Sequence, residues 1–71
     1  GAITAPMAGK LLRIDVPIGD AVKAGQGLAV IEAMKMENEL VAPLAGVVAE
    51  SAAIAPSTIE RGALIIRLAP T

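Results

Sequence analysis

The chain repeats itself at an offset of 37 residues. Ala5-Pro6-Met7-Ala8-Gly9 recurs as Ala42-Pro43-Leu44-Ala45-Gly46, and Gly25 recurs as Gly62. Apolar positions keep the same offset: Leu11 with Val48, Val22 with Ile59, Leu28 with Ile65, Ile31 with Leu68. Seventy-one residues make one small domain, so the halves must share one core. Two like halves around one core imply a pseudo-twofold axis.

Each half reads as strands. Leu12, Ile14 and Val16 alternate with Arg13 and Asp15, the period of a half-buried strand. Leu28 and Val30, Val47 and Val48, and Leu64 to Leu68 mark three more. Pro6, Gly9, Gly19, Gly25, Pro43, Gly46, Pro56 and Gly62 punctuate the chain too often for helices. Short strands between frequent turns point to an all-β sandwich or barrel of about eight strands, four per half. The repeat has one local break. Pro56-Ser57 stands where Gly19-Asp20 does, so the loop near Ala55 to Thr58 should differ in shape.

Composition removes several kinds of function. There is no His and no Cys, so the commonest metal ligand, the commonest general base, thiolate sites and disulfides are all absent. Six basic and seven acidic residues are interspersed, and no aromatic is available to stack on a base. Nucleic acid is therefore not an expected partner. No apolar run is long enough to insert in a membrane. The lack of Cys fits a cytoplasmic location. A self-standing enzyme is not expected.

The most distinctive string is Glu32-Ala33-Met34-Lys35-Met36-Glu37. Strand alternation would turn Met34 and Met36 to one side, packed down, while Lys35 points away or projects from a turn. A primary amine can be acylated to a stable, uncharged amide. Such a product is a long flexible arm, able to carry a group between distant active sites. Because the amine attacks as the free base, an activating enzyme supplying an acyl-adenylate would help it lose its proton. The repeat equivalents of Lys35 fall just beyond the two ends of the chain. The lysine segment should then occupy one pole of the domain and both termini the other.

The chain resembles the biotinyl (biotin carboxyl carrier) domains of biotin-dependent carboxylases and decarboxylases. The resemblance runs through A-P-M-x-G at 5–9, G-D-x-V-x-x-G-Q-x-L at 19–28, E-A-M-K-M-E-N-E-L at 32–40 and A-P-x-x-G-x-V at 42–48. It implies a flattened barrel of two four-stranded antiparallel sheets, with the lysine on a β-hairpin turn. It implies covalent biotin on Lys35, and a biotin protein ligase that reads Ala33, Met34, Met36 and Glu37. It further implies a non-catalytic carrier that shuttles a carboxyl group between biotin carboxylase and carboxyltransferase sites. Residues 1–71 would be a single biotinyl domain, either a small carrier subunit or the excised C-terminal part of a larger carboxylase. Few residues separate Val16 from Gly25, which leaves no place for the protruding thumb of some bacterial acetyl-CoA carboxylase carriers.

Two readings compete. A lipoyl carrier domain of a 2-oxo acid dehydrogenase complex shares the fold and the lysine position, but its usual flanks are D-K-A. An unmodified lipoyl-like adaptor would generally lack the M-K-M motif. Glu32, Glu37 and Glu39 are either solvated edge charges or part of what a ligase recognises.

Overall fold

A computed structural model describes all residues, Gly1–Thr71. It has eight strands: β1 (Ala2–Thr4), β2 (Gly9–Ile14), β3 (Ala21–Val22), β4 (Gly27–Ala33), β5 (Met36–Val41), β6 (Gly46–Ser51), β7 (Ser57–Ile59) and β8 (Leu64–Ala69). One antiparallel sheet has the order β1-β8-β6-β3 and the other β5-β4-β2-β7. The two pack into an elongated body of 34 × 19 × 17 Å.

The repeat extends to individual backbone pairs. Ala2↔Arg67, Ile3↔Ile66 and Thr4↔Leu64 in one sheet match Glu39↔Val30, Leu40↔Ala29 and Val41↔Gly27 in the other, bulge included. Lys10↔Glu32 and Leu11↔Ile31 likewise match Val47↔Ala69 and Val48↔Leu68. Turn hydrogen bonds repeat as well: Gly25 N donates to Ala42 O at 2.7 Å, and Gly62 N to Ala5 O at 2.8 Å. Both glycines have φ in the left-handed region, 84° and 86°, which L side chains adopt at a cost. The loops diverge where Pro56 replaces Gly19. Gly19 N donates to Val48 O at 2.8 Å, and a proline has no hydrogen to offer there.

The core is aliphatic. Leu11, Leu28, Ile31, Ile65, Ile66 and Val48 are its largest fully buried side chains, and no polar side chain is buried. Every backbone link between sheets is short. Ala5 bonds Ala63 at one end of its sheet, and four residues later Gly9 lies against the Glu32–Ala33 end of the other. Four residues reach about 14 Å at most. The β4–β5 turn is thus at the Ala63 end of the barrel, away from Gly1 and Ala69. The amino terminus, donating to Leu68 O at 2.7 Å, sits at the opposite pole. The two-pole arrangement inferred from the repeat holds.

Candidate functional site

Ala33 and Met36 are directly opposed, so β4 and β5 are joined by two residues, Met34 and Lys35. Their φ angles are 53° and 64°. Positive φ at both central residues defines the type I′ turn, whose twist matches that of the flanking strands. Asn-Gly is the usual occupant of such a turn. Here neither position is glycine, and each L residue in this conformation costs about 1–2 kcal/mol.

The turn puts Met34 and Lys35 at the tip. Met34 is 90% exposed. Lys35 is exposed and has no acidic partner, for the chain's two ion pairs are Arg13–Asp15 and Arg67–Glu50. Its amine is therefore open to a large incoming enzyme. An amine that is solvent-facing, unpaired and at the apex of a hairpin fits covalent attachment of a carried group.

The methionines depart from expectation. Strand alternation does not continue through a two-residue loop, so Met34 belongs to the turn and stands almost wholly in solvent. Met36 opens β5 opposite the buried Ala33, on the side turned toward the barrel, yet remains 65% exposed because it overhangs the barrel's end. Further along that side of β5 lie half-buried Asn38 and buried Leu40. Asn38 Nδ2 approaches Met36 O at 3.4 Å, a weak contact near the limit for a hydrogen bond.

Acids line the outer face below the tip. Glu32 and Glu37 are directly opposite each other, with Lys10 opposite Glu32 on the next strand. Like charges so placed disfavour pairing by a few tenths of a kcal/mol, roughly. Glu39 lies two paired positions further down, its carboxylate across Gly27. Of the predicted recognition residues, Met34, Met36 and Glu37 are exposed around Lys35, whereas Ala33 is 7% exposed and sits beneath them. Ala33 is available chiefly as packing that seats the turn. The chain's cavity, about 270 Å³ lined by Ile3, Leu44, Leu68 and Pro70 among others, lies at the other pole and carries no reactive side chain.

A family model described as "Biotin-requiring enzyme" matches residues 1–68. The chain belongs to this biotin-requiring family. Relatives agree. The chain is 43% identical over 65 residues to a biotin carboxyl carrier protein of Streptococcus mutans, covering 92% of this chain and 50% of that one. It is 52% identical over 48 residues to methylmalonyl-CoA decarboxylase subunit gamma of Veillonella parvula, covering 68% of this chain and 37% of that one. Among solved structures, a single-chain, multi-domain long-chain acyl-CoA carboxylase superposes with a TM-score of 0.93 at 30% identity, over 100% of this chain and 7% of that one. The chain thus spans half or less of these relatives' lengths. The superposition on the carboxylase extends over the whole eight-stranded, two-sheet body. No helix of the chain is long and apolar enough to cross a membrane.

Proposed function

We propose that residues 1–71 form one biotinyl domain and that Lys35 Nζ is its site of covalent biotin attachment. The observation that carries this reading is the Met34-Lys35 type I′ turn, which holds an unpaired amine at the tip of a β-hairpin. Biotin protein ligase docks on the tip and reads Met34, Met36 and Glu37, with Ala33 seating the turn. Lys35 Nζ, as the free amine, attacks the activated carboxyl group that the ligase presents. The C–N bond forms, the activating group leaves with its electron pair, and the surplus proton passes to ligase or water. The product is neutral, so the domain's formal charge of −1 becomes one unit more negative.

Attached biotin supplies a ring that holds a carboxyl group between two active sites. The domain's own part is to present that arm far from the barrel's opposite pole, where the chain ends lie. Its partners on this reading are the biotin carboxylase and carboxyltransferase parts of a carboxylase or decarboxylase, and the setting is the cytoplasm. The domain performs neither chemical step. It serves either as a small carrier subunit or as the carrier part of a longer chain. A lipoyl carrier is the weaker reading, since the matching family is described as biotin-requiring, one relative is a biotin carboxyl carrier protein, and M-K-M replaces D-K-A.

Intact mass tests the site. Incubation with biotin, ATP and a biotin protein ligase should add one biotinyl group, mapping to Lys35, and Lys35→Arg should fold but gain nothing. Labelled Lys35→Arg would overturn the assignment. Failure of the folded wild-type chain to gain mass would overturn the biotinyl reading, and lipoate with its ligase would then be tried.

A further inference from the structure

Gly9 stands against the base of the lysine hairpin. A methyl group on its Cα would overlap the carbonyl oxygen of Glu32 and lie 3.2 Å from Ala33 Cβ. Positive φ is not the reason for glycine here, because Gly9 is absent from the residues with that conformation. Close approach of β2 to β4 is the reason. The obstacle is backbone, and it belongs to a central strand that pairs on both sides, with β2 and with β5. It cannot swing aside as a side chain could. Any relief must part β2 from β4 at Lys10↔Glu32, the last of their paired positions before the turn.

The molecule contains its own control. Gly46 is the repeat equivalent, and a methyl there would sit 2.7 Å from Ala69 O. Relief at that site displaces the end of β8, which leads to Pro70 and Thr71 and bears no hairpin. The two glycines make the same kind of contact at opposite poles. Only one of them lies under Met34 and Lys35.

We propose that Gly9 is a positioning residue for modification of Lys35: its missing side chain lets β2 clamp β4 and fixes the direction in which the turn projects. This rests on Lys35 being the biotinylation site. The ligase must bring one amine to its activated acyl group, and a displacement of the order of 1 Å can cost about a hundredfold in rate.

The test compares Gly9→Ala with Gly46→Ala in ligase kinetics and in NMR of ¹³C-methyl methionine. Both substitutions should lower the melting temperature. At a temperature where both remain folded, Gly9→Ala should show kcat/KM lower by about ten- to a hundredfold than Gly46→Ala. The Met34 and Met36 methyl signals should move in Gly9→Ala and stay in place in Gly46→Ala. Equal kinetics and unmoved tip methyls would overturn the positioning role while leaving a labelled wild-type Lys35 untouched. An unlabelled wild type would instead sink the site assignment itself. If Gly9→Ala does not fold, amide exchange in the wild type decides. Ala33 closes the turn toward β5, so by alternation the Glu32 amide faces β2. Strong protection of that amide supports the clamp, and exchange as fast as an open strand end overturns it.

Discussion

Met34→Asn should make the protein more stable and a worse ligase substrate. Met34 is the first central residue of the type I′ turn, at φ 53°. An L residue there costs about 1–2 kcal/mol, and Asn is among the few that visit this region readily. Recovering half of the smaller figure gives about 0.5 kcal/mol. The loss of packing is minor. Met34 is 90% exposed, so about a tenth of a burial value near 2 kcal/mol is at stake, or roughly 0.2 kcal/mol. The net gain of a few tenths of a kcal/mol corresponds to an increase of about 1–4 °C in melting temperature for a domain this small. Thermal unfolding by circular dichroism would detect it. Ligase kcat/KM on the same sample should fall, because the exposed thioether is gone while Lys35 keeps its place. A decrease of several degrees would refute the reasoning, since it would mean that Met34 contributes packing its exposure does not reveal. A stability gain with unchanged kinetics would remove Met34 from the residues the ligase reads.

Met36→Leu nearly conserves volume at a position 65% exposed, so stability should change by less than about 1 kcal/mol while labelling slows; an unchanged rate would show that the second methionine is not read. Leu11→Ala removes a fully buried side chain and should cost about 2–5 kcal/mol in denaturant unfolding, enough to leave little of a small domain folded. Gly25→Ala and Gly62→Ala meet nothing within 4 Å of a Cβ, so each should lose about 1–2 kcal/mol from backbone strain alone. Because their turns repeat, the two losses should agree to within a few tenths, roughly, and a clear inequality would show that the halves are not energetically alike.

The duplicated barrel was legible because identical local signals recur at one spacing. Leu11 with Val48 and Ile31 with Leu68 occupy equivalent rungs, and even the bulges fall at equivalent places. Strand alternation was reliable for Arg13 and Ile14 because it depends on one sheet face being buried. It misplaced Met34 because alternation ends where a two-residue turn begins. No Asn-Gly marked that turn; the registry of Ile31 with Asn38 and Ala33 with Met36 leaves only Met34 and Lys35 to reverse the chain, and both do so at positive φ. Gly9 was visible as turn punctuation and as part of the repeated string, but not as a contact of the hairpin. Its contact joins residues far apart in the chain, and periodicity says nothing of such a distance.

The arrangement also explains why a chain with so little chemistry can host a carried group. Its core holds no buried polar side chain, so no internal charge depends on the state of Lys35. On the proposed reading, acylation of Lys35 would fall on solvent-facing atoms beyond the last strand pair and would remove no ion pair. The strain needed to present the amine is confined to two turn residues and is offset by the strand pairing below them. The ladder of Glu32, Glu37 and Lys10 beneath the tip gives the hairpin a charge pattern without adding to the core. Stability resides in the aliphatic barrel and reactivity in the turn, so either can be altered by substitution with limited effect on the other. Gly9 is where the two requirements meet, since one missing methyl serves both the close packing of the sheet and the aim of the lysine.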